Sequence, residues 1–269
     1  MWDKIKLVSD REIWDLKSDE REGLINYIKE RLENASTKMM DNPGRMLEVS
    51  AALNKDALTI GFARRFATYK RARLLFSDLD RLDRIVNNPE KPVQFIFAGK
   101  AHPRDIPGQD LIKYIVEISK RPEFTGKIVF LQNYDILLAK RLVRGVDIWL
   151  NTPTRPLEAS GTSGEKAVMN GTMHFSVLDG WWAEGYREDS GWALPIERSY
   201  TNQDLQDELD AERIYTLLEN DITEKFYGRD EAGIPEDWVG MIRSNLAHVA
   251  PEFTMNRMIR DYFDRFYLK

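Results

Sequence analysis

Between Ala57 and Gly180 the sequence alternates between two textures, and that alternation limits the fold more than any single residue does. Five short apolar runs, ALTIGFA, PVQFIFAG, KIVFLQN, VDIWLN and MHFSVLDG, are separated by stretches with helical spacing. LLFSDLDRLDRIV, DLIKYIVEISK and DILLAKRLVRG fill three of the gaps, and GEKAVMNG fills the fourth. Strands apolar on both faces must be covered on both faces, and strand–helix–strand connections make neighbouring strands parallel. The pattern therefore predicts an α/β fold, a doubly wound and mostly parallel Rossmann-like sheet, over residues 57–200. Residues 1–56 read as a charged helical lead-in. Leu24, Ile25, Tyr27, Ile28 and Leu32 fall near helical spacing there, and Asn42-Pro43-Gly44 breaks the run. Residues 201–269 read as a helical tail on the core, with an apolar stripe of Met255, Met258, Ile259, Tyr262, Phe263 and Phe266.

Composition narrows the class. With 269 residues, 42% of them hydrophobic and 31% charged, the chain has enough apolar material for a substantial core. A formal charge of −5 argues against nucleic acid as a partner. No apolar run approaches the roughly 18 residues of a membrane helix. MWDKIKLVSD lacks the apolar block of a signal peptide, and cysteine is absent, which suits a cytoplasmic protein. The three histidines, His102, His174 and His248, lack metal-ligand spacing.

Ligands of open parallel sheets bind beyond the carboxyl ends of the strands. Two such segments carry unusual chemistry. RRFATYKRAR, from Arg64 to Arg73, holds five basic residues and no acid. Read as a plain helix face it is merely solvated; read as a strand end leading into a helix N-terminus, it lets Arg65 and Lys70 converge on one phosphate. EASGTSGEKAVMNG, from Glu158 to Gly171, places Gly161 and Gly164 around Thr162 and Ser163, with Lys166 expected in the first turn of a helix. Bare amides at such a turn form an anion cradle, although an ordinary helix start has the same look. A triphosphate loop is excluded, because Ala159 and Ala167 stand where glycine and a metal-binding hydroxyl are needed. A lysine at the positive end of a helix also loses its proton more readily, as a Schiff-base lysine must.

EASGTSGEKAVMNG resembles the pyridoxal-phosphate site of the α-glucan phosphorylases, usually E-A-S-G-T-G-N-M-K-F-x-x-N-G. RRFATYKR is similar to that family's K-R-I-H-E-Y-K-R, FLQNYDILLAK to F-L-E-N-Y-x-V-x-x-A, and FIFAGKAHP to G-G-K-A-x-P. The four fall in family order. The resemblance implies that Lys166 carries pyridoxal 5'-phosphate. Amides of Thr162 and Ser163, with Arg64, would hold the cofactor phosphate, and Tyr134 would line the cofactor pocket. Arg65 and Lys70 would bind the substrate phosphate, while Glu158, Ser160 and Gly161 would contact the transferred glucosyl unit. The implied reaction is reversible phosphorolysis of an α-1,4-glucan by inorganic phosphate to glucose 1-phosphate. The likeness covers only the carboxyl-terminal half of a GT-B enzyme. A missing amino-terminal half would then be a partner, and the isolated chain is expected to be inactive and to hold cofactor poorly; a homodimer stays open.

The sequence also departs from the family pattern. Arg64 stands for lysine, Ala67 and Thr68 for histidine and glutamate, Asp135 for arginine, and Glu165, expected to face solvent, for methionine. Two other readings stay open at this stage. One is the carboxyl-terminal half of a nucleotide-sugar GT-B transferase resembling glycogen synthase; the other is a non-catalytic glucan-binding half.

Overall fold

The computed structural model describes residues 2–38, 43–194 and 202–268. Six strands form one all-parallel sheet: β1 Leu58–Ala63, β2 Val93–Ala98, β3 Ile128–Leu131, β4 Ile148–Asn151, β5 Met173–Val177 and β6 Gly191–Leu194. Their spatial order is β3-β2-β1-β4-β5-β6, so the winding reverses between β1 and β4. Crevices for ligands open at such a reversal. The sixth strand has no counterpart among the five apolar runs of the sequence. GWAL has only four residues, too few to display a periodicity of its own.

The lead-in folds as α1 Asp10–Lys38 and α2 Pro43–Ala52. The expected break at Asn42-Pro43-Gly44 falls partly outside the described residues, and α2 starts at Pro43. Between strands come α3 Leu79–Val86, α4 Ile106–Ser119, α5 Ile136–Gly145, α6 Thr162–Val168 and the short α7 Trp182–Gly185. Asp78, Asp105 and Asp135 cap the first three of these, each accepting an amide hydrogen three residues on. The tail holds α8 Gln203–Leu217, α9 Thr223–Tyr227, α10 Glu236–Ser244 and α11 Met255–Tyr262.

The sheet is covered on both faces. On one, Leu24, Ile25 and Ile28 of α1, Leu138 and Leu142 of α5, and Ala167 of α6 pack over Ala63, Ala98 and Trp149. On the other, Leu82, Ile115, Ile214, Tyr215, Phe226 and Trp238 close over Phe62, Phe95 and Phe97. Lead-in and tail thus share the core of the sheet. The stripe on α11 and the turn after it does not join that core: Met255, Ile259, Tyr262, Phe263 and Phe266 are all exposed.

Candidate active site at the winding reversal

β1 runs out at Ala63 and delivers Arg64 into the cleft. The RRFATYKRAR segment is not the start of an α-helix, as the phosphate reading required. It is a loop with one 3-10 turn at Thr68–Lys70, and Arg71 in the left-handed region (φ 47°) ends that turn. The loop is laid against the end of β2 by Arg64 N–H to Ala98 O (3.0 Å) and Phe66 N–H to Lys100 O (2.9 Å). Gly99 makes this approach feasible, because a Cβ there would lie 1.9 Å from Arg64 O.

The five basic residues therefore go different ways. Lys70 turns inward and is buried, Arg64 turns inward with its side chain only 10% exposed, and Arg65 is exposed. Arg71 is spent on the scaffold, donating to Thr152 O and Pro153 O and pairing with Asp207 and Asp210. The guanidinium of Arg73 lies 4.7 Å over the ring of Tyr114. A count of charge in the sequence cannot separate these fates.

Glu158 is the acid that meets the inward pair. Its Oε2 accepts from Lys70 Nζ and lies 3.7 Å from Arg64 Nη2. Backbone contacts hold the Glu158–Gly161 loop against the segment that follows β5. Glu158 N–H donates to Asp179 Oδ2 (2.9 Å), and Trp181 N–H donates to Ser160 O (2.8 Å). Gly180, at φ 54°, permits that fit, since its Cβ would stand 2.4 Å from Ser160 O. Ser160 and Gly161 are half-buried beside Glu158.

Arg64 supplies the decisive electrostatic feature. Its Nε and Nη1 are buried and have no hydrogen-bond partner. Burial holds its pKa below the usual arginine range, with Glu158 the largest opposing influence. Half-buried Tyr134 is close enough to couple to it, and burial raises the Tyr134 hydroxyl while Arg64 lowers it. Arg64 and Lys70 thus converge on Glu158, with Asp179 behind it, and two N–H groups of Arg64 stay unused. Buried donors of a cation left without a partner are able to receive an anion.

α6 begins beside Glu158, whose Oε1 would stand 3.5 Å from a Cβ at Gly161. Gly161 caps it in the left-handed region (φ 88°), so the helix starts at Thr162 and the first amides, those of Thr162 and Ser163, have no carbonyl within the helix to bond. Lys166 consequently lies in the second turn, not at the positive helix end that the sequence suggested, and it is exposed. Glu165 is half-buried, and burial raises its pKa against the pull of Lys166. Asp135 is exposed at the start of α5, 3.7 Å from Arg31.

Sequence reasoning passed over the floor of this pocket. His174 of β5 faces Trp149 O with Nδ1 (3.2 Å), while its Nε2 and the indole N–H of Trp181 are buried without partners. Both rings press on α6: a Cβ at Gly164 would stand 2.6 Å from His174 and 2.7 Å from Trp181. Burial, reinforced by Arg64, pushes the His174 pKa down to about 3. Nothing in the apolar run MHFSV marks that histidine as special. Among the described residues no group of histidine and carboxylate side chains could hold a metal ion.

A family profile described as carbohydrate phosphorylase matches residues 17–188, well over half of the chain. The chain belongs to the carbohydrate phosphorylase family. The glycogen phosphorylase of Aquifex aeolicus is 46% identical over 269 residues, all of this chain and 38% of the relative. The maltodextrin phosphorylase of Thermococcus litoralis is 41% identical over 269 residues, again all of this chain and 31% of the relative. A glycogen phosphorylase of Mycobacterium tuberculosis is 38% identical over 267 residues, 99% of this chain and 31% of its own. The chain thus spans about a third of the length of these carbohydrate phosphorylases. The matched residues contain every part of the site described above, from Arg64 to Trp181.

Proposed function

We propose that this chain is the cofactor- and phosphate-binding half of an α-glucan phosphorylase that cleaves α-1,4-glucans with inorganic phosphate, reversibly, to glucose 1-phosphate. The observation that carries the reading is the guanidinium of Arg64 at the winding reversal, whose Nε and Nη1 are buried without a hydrogen-bond partner. Pyridoxal 5'-phosphate fits these residues. Arg64 and the amides of Thr162 and Ser163 would hold its phosphate, Lys166 would hold it covalently, and Tyr134 would line its pocket. When bound, the cofactor would supply a phosphate group able to exchange a proton with the substrate phosphate.

The chain's residues then have distinct work. Lys70, with Arg65 at the rim, receives the substrate phosphate, the lysine as a point charge and the arginine as a fork. Lys70 is held ready by Glu158, whose second role is to accept hydroxyl hydrogens of the glucosyl unit together with Ser160 and the backbone at Gly161. Two phosphates side by side repel strongly, and burial strengthens that repulsion as much as it strengthens the attraction to the surrounding cations. Arg64, Arg65 and Lys70 offset it and so keep the substrate phosphate where it can pass a proton to the departing glycosidic oxygen. Amino-terminal segments of the kind present in the longer relatives would complete the glucan side and exclude water.

The test is chemical. The chain is incubated with pyridoxal 5'-phosphate, reduced with borohydride and mapped by mass spectrometry. Labelling concentrated at Lys166, and lost when Arg64→Met is introduced, is the expected result. Labelling spread over exposed lysines at equal yield would overturn the cofactor assignment.

A further inference from the structure

A cavity of about 720 Å³ lies between the loop that follows Lys70 and the amino-terminal parts of α4 and α8. Small-molecule sites run about 300–1,000 Å³, so this one has the right size. Its floor is aromatic and apolar: Tyr114 meets Phe76 edge-on, centroids 6.0 Å apart. One wall offers the Arg73 guanidinium, stacked on Tyr114, and Thr68, which is exposed. The facing wall offers the carboxylates of Asp204 and Glu208, which make no ion pair among the described residues. Arg71, also in the lining, is already neutralised by Asp207 and Asp210.

We propose that this groove is a second binding site, distinct from the cleft of Glu158 and Arg64, for a neutral oligosaccharide. The chemistry favours that occupant over a charged one. Planar acceptors on one side and a planar donor on the other suit vicinal hydroxyls, and the partly exposed Tyr114 ring, backed by buried Phe76, suits the C–H face of a sugar. A strongly anionic ligand would meet Asp204 and Glu208; a polycation would meet Arg73. A polyol satisfies both walls without bringing a net charge out of water. The choice of an α-glucan as the oligosaccharide rests on the function proposed above, but the groove shares none of the residues assigned to the cofactor.

The experiment is a titration of maltopentaose into this chain, by calorimetry and by saturation-transfer NMR, with four variants. Tyr114→Ala is expected to weaken binding at least tenfold, and Asp204→Asn combined with Glu208→Gln several-fold. Tyr114→Phe, which keeps the ring, should bind like the parent sequence and shows that the groove is folded. Glu158→Gln, in the main cleft, should leave this binding event in place. The proposal is overturned by affinity indifferent to Tyr114→Ala, by binding that vanishes with Glu158→Gln alone, or by spermine binding where maltopentaose does not. The Lys166 labelling above is read independently, so failure here leaves that assignment standing, and the converse.

Discussion

His174 sits inside β5 with one ring nitrogen at the Trp149 carbonyl and the other beside Gly164. Its pKa, about 3 in the fold, is depressed from 6.5. Between those values the unfolded chain binds a proton that the native chain excludes, so stability rises with pH across the window and falls as pH drops from about 6.5 toward 3. The limit of this contribution is roughly 5 kcal/mol, at 1.36 kcal/mol per pKa unit, reached only near pH 3. Urea unfolding at a series of pH values should show His174→Gln losing less stability than the parent across that window. Parallel curves would refute the role. Gly164 supplies a second expectation at this scale. Alanine there meets His174 and Trp181 at under 3 Å, so Gly164→Ala should cost about 1–3 kcal/mol as overpacking. It should also reduce pyridoxal labelling of Lys166, because relief of the clash moves α6. A variant that keeps full melting temperature and full labelling would show the contact to be soft.

Among the elements, α1 is fastened to the amino-terminal edge of the sheet by charge as well as by leucine and isoleucine. Arg21 Nη1 donates to Asp147 Oδ1 (2.8 Å), Asp147 Oδ2 accepts from Thr59 N–H (2.9 Å), and both side chains are buried. Removing one partner strands the other, so Arg21→Met should cost about 3–5 kcal/mol in chemical denaturation. Lys113→Met, which breaks the exposed pair with Asp110, should cost less than about 1 kcal/mol. Restoring neutrality with Asp147→Leu on the Arg21→Met background should recover part of the loss. Similar costs for the buried and exposed pairs would remove the electrostatic lock from the account. None of this pairing is visible in DREIWDLKSDEREG, where Arg21 is one charge among many. Legibility followed range of interaction. ALTIGFA and PVQFIFAG announced their strands because both faces are buried, and the aspartates before α3, α4 and α5 mark local caps. GWAL does not announce β6, and RRFATYKRAR, helical by its local pattern, folds as a loop with one 3-10 turn. There the deciding interactions, Gly99 against Arg64 and Arg71 against Thr152 and Asp210, join residues 30 to 140 positions apart. The sorting of Arg64 inward and Arg65 outward belongs to the same class.

For the molecule as a whole, exposed large apolar side chains such as Leu16, Leu47 and Ile136 are scattered over the described residues, whereas at the end of the tail they are concentrated in one short stretch. Met255, Met258, Ile259, Tyr262 and Phe263 lie on α11 and the turn that follows it, and Phe266, Tyr267 and Leu268 extend the surface, each at least 39% exposed. Contiguous apolar surface of this extent is rare on a protein that stays monomeric, and it drives association or the binding of apolar probes. The chain should therefore bind anilinonaphthalene sulfonate in its native state and self-associate as its concentration rises. Ile259→Glu with Phe263→Glu should suppress both. Because neither side chain packs into the core beneath the sheet, the double variant should keep the parent melting temperature within a degree or two, as surface substitutions usually change stability by under about 0.5 kcal/mol. A large drop in melting temperature would mean that α11 folds back onto the body in solution. Unchanged dye binding would mean that the adhesive surface lies elsewhere.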